Sequence, residues 1–250
     1  MTEYRIDDFL SAAECNAQQE MSLPLLVQRL LDIATAHAAV LGVGYEHLLE
    51  NNHAWVLSRL SIELRRLPVI NKPYSLTTWV EDVNRHFSER IVEIRDENDE
   101  PIGYGRLTWV AIDIMTRRPA DLTPYVDKIT PSSNRCPIER FPRLGRLDAP
   151  DSVTTYRFRY SDIDFNRHVN STRYIQLILD RWPLDFFDRN RVVRFDISYH
   201  AEAHFDDEVE VRGKGDDKIH DVEIVHDGTV CTRARIKFSP RAISGENVAE

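Results

Sequence analysis

The sequence of 250 residues has few of the residues that define several common protein classes. Its three cysteines are an odd number without Cys-x-x-Cys spacing, which argues against a disulfide framework or a zinc knuckle. Its nine glycines complete neither a dinucleotide-binding loop nor a phosphate-binding loop, and no Gly-x-Ser-x-Gly motif occurs. Disulfide-rich, nucleotide-binding and serine-hydrolase classes therefore have no support in the sequence.

Long apolar runs and positive charge are also scarce. No run approaches the roughly 18 apolar residues that a membrane helix needs. The N-terminus lacks the apolar region of a signal peptide and the Arg/Ser-rich, acid-poor character of a transit peptide. A net charge of -9 disfavours nucleic acid as a partner. We expect a cytoplasmic protein that neither inserts into membranes nor binds nucleic acid.

Polar side chains are concentrated at one helix entrance in the second half. The apolar residues that follow have helical spacing, and Pro183 marks the end of that helix. Backbone N-H groups at a helix start lack partners and carry partial positive charge, so they can receive an oxyanion. The pattern is typical of an acyl-transfer site. Its polar residues are Asp162, Asp164, Asn166, His168 and Asn170, the last a natural N-cap.

The two halves of the chain repeat one pattern. Residues 26–32 resemble residues 174–180 at an offset of 148 positions, and further on the offset becomes 135. Each half predicts a strand, a helix and then four strands, with alternation and turns typical of antiparallel hairpins. The sequence therefore predicts an α+β protein made of two similar units. The predicted elements are 4–9, 23–41, 55–66, 75–83, 87–96 and 102–113, then 154–160, 171–182, 191–200, 208–214, 218–226 and 229–238.

A proline-rich stretch separates the two units. Residues 123–150 contain several prolines and little periodicity, so we expect an irregular connection rather than a third domain. The predicted organisation is an N-terminal unit over residues 1–122, this linker, and a C-terminal unit over residues 151–250.

Through these residues the chain resembles a bacterial member of the acyl-acyl carrier protein thioesterase family. The family's plant relatives are plastid enzymes that release fatty acids. The resemblance covers about residues 4–239 and implies a tandem (double) hotdog fold without a cofactor. Its most specific part is Asp164-x-Asn166-x-His168-Val-Asn170-x-x-x-Tyr174-Ile175, followed by Glu202.

The resemblance implies Asp164, Asn166, His168 and Glu202 as the catalytic group. Many plant members have a cysteine directly after the glutamate, whereas this chain has Ala203, so a cysteine nucleophile is excluded at that position.

The repeat indicates that the group exists only once. The four positions of the catalytic group have equivalents in the first half, found by subtracting 148 for the first three and 135 for Glu202. Three of the four equivalent residues have no acid/base function. The first half is therefore expected to supply sheet surface and the lining of an acyl-chain pocket. The equivalent residues are Asn16, Gln18, Glu20 and Leu67.

Thioester hydrolysis gives each residue of the group a role. The Asn166 amide, with the N-H groups of Val169 and Asn170, would hold the carbonyl oxygen. His168 and Glu202 would activate water, with Asp164 orienting the histidine or sharing the base role. A covalent route through Glu202 as nucleophile is equally open.

The spacing of the acidic and histidine residues does not match known calcium or zinc sites. Asp162-x-Asp164-x-Asn166 begins like a calcium loop, but its sixth and twelfth positions are both arginine. His200 and His204, which flank Glu202, would lie about 13 Å apart on a strand at roughly 3.3 Å per residue, too far for one zinc ion. We expect no metal.

The expected partner is acyl carrier protein carrying a fatty acyl thioester. Carrier protein is acidic, so exposed arginines of the linker and Arg65, Arg66, Arg117 and Arg118 are candidates for docking it. Alternatives are an acyl-CoA thioesterase on the same fold, a non-catalytic acyl-binding or sensor module and, more distantly, a hydratase. Exposed sheet edges would allow a homodimer.

Overall fold

The computed structural model describes residues 2–241, so residues 242–250 of the predicted C-terminal unit lie outside the described part. The first half begins with a strand and a long helix, followed by four strands. A segment with one short helix connects it to a second half of the same plan. The elements are β1 (Glu3–Phe9), α1 (Leu23–Val40), α2 (Tyr45–Leu49), β2 (His53–Leu64), β3 (Pro73–Val83), β4 (Ser88–Arg95), β5 (Pro101–Asp113), α3 (Thr123–Val126), β6 (Ser152–Arg157), α4 (Ser171–Leu179), α5 (Leu184–Arg189), β7 (Asn190–Tyr199), β8 (Glu208–Gly215), β9 (Ile219–His226) and β10 (Thr229–Pro240).

All ten predicted strands and both predicted long helices are present, whereas the short helices α2, α3 and α5 were not predicted. Helix α4 also ends earlier than expected. Its C-cap is Asp180, three residues before Pro183, and α5 begins directly after that proline. A proline cannot donate a helical hydrogen bond and restricts the residue before it, so the chain leaves the helix before reaching it.

The ten strands form one antiparallel sheet in the order β1-β3-β4-β5-β2-β7-β10-β9-β8-β6. The halves join where β2 pairs with β7. In that ladder Ser61 lies opposite Asp196, and these two positions are equivalent under the repeat's second offset of 135. A pseudo-twofold axis therefore passes through this pair.

Helices α1 and α4 pack on one face of the sheet. Leu26 and Leu30 of α1 and Ile175 of α4 belong to the same buried cluster as Ile62 and Phe195 of the two central strands. Gly105 of β5 permits this approach, because a Cβ there would lie 2.8 Å from Leu30 Cδ1. Each half is thus a long helix packed on an antiparallel sheet, which confirms the predicted α+β double hotdog.

Alternate residues of the central strands point to the opposite face, which carries a buried polar cluster. The Ser61 hydroxyl donates to Asp196 at 2.6 Å, and Arg194 donates to the same carboxylate at 2.9 and 3.0 Å. Arg194 also donates to the backbone carbonyls of Glu139 and Arg140 at 3.3 and 3.4 Å. The connecting segment therefore crosses the face of the sheet opposite to the helices.

By length and mean hydropathy alone, α1 could span a membrane. Within the fold it is a core helix, because Leu23, Leu26, Val27, Leu30 and Ile33 are buried against the sheet.

Candidate active site

The loop before α4 is held by its own backbone and by one carboxylate. The backbone N-H of Asp164 donates to the carbonyl of His168 at 2.8 Å. The Asp164 Oδ1 atom accepts the N-H groups of Asn166 at 2.8 Å and His168 at 3.3 Å. Arg167, between them, has a left-handed backbone with φ of +67°. Asp164 therefore shapes the turn that presents Asn166 and His168.

The equivalent loop before α1 has the same construction. The Asn16 Oδ1 atom accepts the N-H groups of Gln18 and Glu20, both at 3.0 Å, and Gln19 has φ of +61°. An amide oxygen thus makes the bonds that Asp164 makes in the second half. Glu20, at the position of His168, forms a bidentate ion pair with Arg241 at 2.7 and 2.9 Å. The first half retains the turn but not the acid/base residues.

The carboxylate of Glu202 lies next to His168. His168 Nε2 is 3.4 Å from Glu202 Oε2, with side chains 26% and 38% exposed. Tertiary contact creates this proximity, because the N-H of Val169 donates to the carbonyl of Ala203 at 2.8 Å. This bond ties the loop to the segment that follows β7 and brings together two residues predicted from separate parts of the sequence.

Two further side chains complete the cluster. The Arg117 guanidinium, from the turn after β5, donates to Glu202 Oε1. The His204 ring lies edge-on to the His168 ring with centroids 5.2 Å apart. On sequence alone, Arg117 was a candidate for docking and His204 a possible metal ligand. The sequence around Arg117 and around His204 did not indicate that either belongs to the site, since the contact from Arg117 to Glu202 spans 85 positions.

The predicted oxyanion role of two backbone N-H groups is contradicted. The N-H of Val169 is bonded to Ala203, and the N-H of Asn170 donates to the carbonyl of Asp162 at 2.8 Å. A donor already bonded to a protein carbonyl cannot hold an oxyanion without losing that bond. The Asn170 side chain, however, caps α4 as predicted, because its Oδ1 accepts the N-H of Thr172 at 2.9 Å.

The Asn166 side chain is the remaining predicted oxyanion donor. It is exposed, and within residues 2–241 its side-chain amide has no hydrogen-bond partner. Its amide N-H groups are therefore free to bind a substrate oxygen.

A tyrosine forms part of the interior beside the cluster. The Tyr174 hydroxyl is buried beside the backbone of Ala203. Burial raises the pKa of this hydroxyl, and the nearby carboxylate of Glu202 acts in the same direction. Tyr174 is therefore neutral at ordinary pH and can serve as a hydrogen-bond donor but not as a base.

A cavity in the first half lies away from this cluster. Its volume is about 680 Å³, and its lining in the first half includes Glu3, Arg5, Glu93, Arg95 and Asp99, without any residue of the cluster. Its charged lining does not suit an acyl chain. Within residues 2–241, no group of three or more His, Cys, Asp or Glu side chains is arranged to hold a metal ion.

Several of the arginines considered for docking already contact acidic groups. Arg66 pairs with the buried carboxylate of Asp96, and Arg117 with Glu202. Arg146 of the linker lies 3.9 Å from Asp148, and both side chains are largely exposed. Arg117 is therefore a member of the cluster rather than a free surface charge.

Comparisons with known proteins cover nearly the whole described chain. Residues 3–129 match the model of the acyl-ACP thioesterase N-terminal domain, and residues 146–240 match that of the C-terminal domain. The palmitoyl-acyl carrier protein thioesterase of Arabidopsis thaliana chloroplasts is 24% identical over 216 residues, which are 80% of this chain and 52% of the plant protein. The chain thus spans about half the length of the plant relatives it matches.

Two solved structures share the fold. An acyl-ACP thioesterase from Bacteroides thetaiotaomicron is 35% identical, with a TM-score of 0.88 over 95% of this chain and 98% of that one. The 12:0-ACP thioesterase from Umbellularia californica is 17% identical, with a TM-score of 0.85 over 96% and 98% of the two chains, a likeness of fold alone. By its matches to both domain models and its likeness to the Bacteroides protein, this chain belongs to the acyl-ACP thioesterase family.

Proposed function

We propose that the protein hydrolyses the thioester of fatty acyl-acyl carrier protein in the cytoplasm and releases a free fatty acid. The observation that supports this most is the contact between His168 and Glu202, 3.4 Å apart, in a chain of this family. A carboxylate beside an imidazole can take a proton from water as it attacks a carbonyl carbon.

Each residue of the group then has a defined task. Glu202 and His168 activate the water, and the Asn166 amide donates to the carbonyl oxygen as negative charge develops on it. Asp164 fixes the turn that carries the other two. The departing thiolate takes up a proton, and the acyl group leaves as a carboxylate.

A covalent route uses the same residues. Glu202 would attack the carbonyl carbon and expel the thiolate, and water would then cleave the mixed anhydride. A single turnover in H₂¹⁸O compares two positions at which water can attack. Direct attack on the thioester places one labelled oxygen in the acid. Water attack on the Glu202 carbonyl carbon would instead leave the label on the enzyme.

The first half has no equivalent acid/base pair, so we propose one active site per chain. The N-terminal unit, residues 1–122, would contribute the acyl-chain pocket. The C-terminal unit, residues 151–250, would carry the active site, and the linker, residues 123–150, would connect the two.

Glu202→Gln tests this function directly. The amide keeps the size of the side chain but can neither accept the proton nor attack the carbonyl, so kcat should fall about 10²- to 10⁴-fold. Free thiol and free acid are followed during incubation with acyl-carrier substrates of several chain lengths. Near-normal turnover by the folded variant would remove Glu202 from the mechanism.

The same assay separates the alternatives. Acyl carrier protein and CoA present the thioester on the same pantetheine arm, so one acyl chain is compared on both carriers. A higher kcat/KM for acyl-CoA would reverse the proposed substrate preference. Binding of either without hydrolysis would indicate an acyl-binding module instead.

A further inference from the structure

The two oxygens of Glu202 have different partners from different halves of the molecule. Oε2 faces His168 at 3.4 Å, within the second half, and Oε1 accepts from Arg117, which belongs to the first half. Within residues 2–241, Glu202 is the carboxylate that Arg117 pairs with. The cluster therefore includes one side chain from the half that lacks the acid/base residues.

The backbone presents Arg117 on a well-held turn. The N-H of Arg117 donates to the carbonyl of Asp113 at 2.8 Å, and the Asp113 carboxylate accepts the N-H of Thr116 at 2.6 Å. The N-H of Asp113 donates in turn to the carbonyl of Arg118 at 2.9 Å. Arg117 has φ of +58°, a left-handed conformation that a long side chain adopts infrequently. The position is thus fixed relative to β5.

Stability does not explain this contact. The Arg117 and Glu202 side chains are 48% and 38% exposed, and solvent-exposed ion pairs contribute little to folding. Orientation does explain it, because a base or nucleophile acts only when its reacting oxygen is correctly placed. A guanidinium that holds Oε1 stops rotation of the carboxylate and leaves Oε2 directed at His168 and the reacting water.

We propose that Arg117 is a positioning residue for the hydrolysis assigned to Glu202, so that the active site is assembled from both halves of the chain. This inference rests on the proposed function. It differs from a docking role, in which Arg117 would contact the carrier protein and affect only carrier-bound substrates.

The experiment compares Arg117→Gln and Arg117→Ala with Arg118→Gln. The last variant removes the same charge one position away, and among residues 2–241 the Arg118 side chain forms no hydrogen bond or ion pair with Glu202. The substrate is a small acyl thioester of N-acetylcysteamine, which has no carrier surface, alongside the same acyl chain on carrier protein. Thermal unfolding of each variant confirms that it is folded.

We expect the two Arg117 variants to lose about 10- to 100-fold in kcat on both substrates, with KM nearly unchanged, as for a misplaced catalytic group. Arg118→Gln should stay within about twofold of wild type on the small thioester, because surface charges act weakly at a distance. Methylguanidinium should restore part of the kcat of Arg117→Ala and leave the low kcat of Glu202→Gln unchanged. A purely structural role of Arg117 would not respond to the added guanidinium.

Equal kcat values for Arg117→Gln and Arg118→Gln would overturn the proposal. So would a loss confined to the KM of the carrier-bound substrate, which would indicate docking. A wild-type protein that cleaves neither thioester would instead overturn the proposed function, and the positioning role with it.

Discussion

Asp164 illustrates how a residue of the candidate group can act through the backbone. Its Oδ1 atom accepts two backbone N-H groups, and Asn16 makes the same two bonds in the half without acid/base residues. Because an amide oxygen serves as well at the equivalent position, the turn needs an acceptor there rather than a carboxylate. This favours orientation of His168 over a share in the base role.

Exchanging the Asp164 side chain separates these two roles. Asp164→Asn keeps the acceptor, so we expect kcat to remain within about tenfold of wild type, whereas Asp164→Ala loses both backbone bonds and should fall by about 10²-fold or more. Steady-state hydrolysis of an acyl thioester by the two folded variants provides the comparison. Equal, severe losses in both would show that Asp164 acts through its charge or as a base.

At the scale of elements, the start of α4 stabilises the site rather than binding the substrate oxygen. The N-H of Asn170 is bonded to Asp162, and the side chain of Asn170 accepts the N-H of Thr172 at 2.9 Å and its hydroxyl at 2.8 Å. The corresponding cap of α1 is Ser22, whose hydroxyl accepts the N-H of Leu25 at 3.4 Å. The cap in the second half thus has the shorter bonds.

Removing the two caps should therefore have unequal effects. Asn170→Ala should lower the free energy of unfolding by about 0.5–2 kcal/mol, the range for loss of an N-cap, and Ser22→Ala by less than Asn170→Ala. Urea unfolding followed by circular dichroism measures both. A larger loss in Ser22→Ala would contradict the assignment of the stronger cap to α4.

The elements that sequence predicts well are those with a repeated pattern. Strands such as β10 alternate apolar and polar residues, and α1 has apolar residues at helical spacing over 18 positions. Helices α2, α3 and α5 have four to six residues, too few to show a period. Their formation depends on tertiary packing instead.

The site was predictable only in part, for a related reason. The resemblance supplied His168 and Glu202, and the structure places them 3.4 Å apart. The bond from Val169 to Ala203 and the contact from Arg117 to Glu202 join segments distant in sequence. Local spacing carries no information about such contacts. The sequence therefore assigned the oxyanion to the N-H groups of Val169 and Asn170, which the structure shows already bonded to carbonyls, and it missed Arg117.

At the scale of the whole molecule, duplication explains the arrangement. The sheet is continuous through the pairing of Ser61 with Asp196, and each half contributes five strands and one long helix. One copy keeps the acid/base pair, while the other keeps only the turn and supplies Arg117. Strands β1 and β6 form the two edges of the sheet, where the predicted homodimer would pair if it forms.

The most direct test of this account substitutes equivalent positions in the two halves. Asn166→Ala and Gln18→Ala remove side-chain amides from the same place in the two loops, and kcat for an acyl-carrier substrate is measured for each. We predict a fall of about 10²- to 10³-fold in Asn166→Ala, as for loss of an oxyanion donor, and a wild-type kcat in Gln18→Ala. Near-wild-type kcat in both folded variants would remove Asn166 from the mechanism, and equal losses in both would contradict a single active site in the second half.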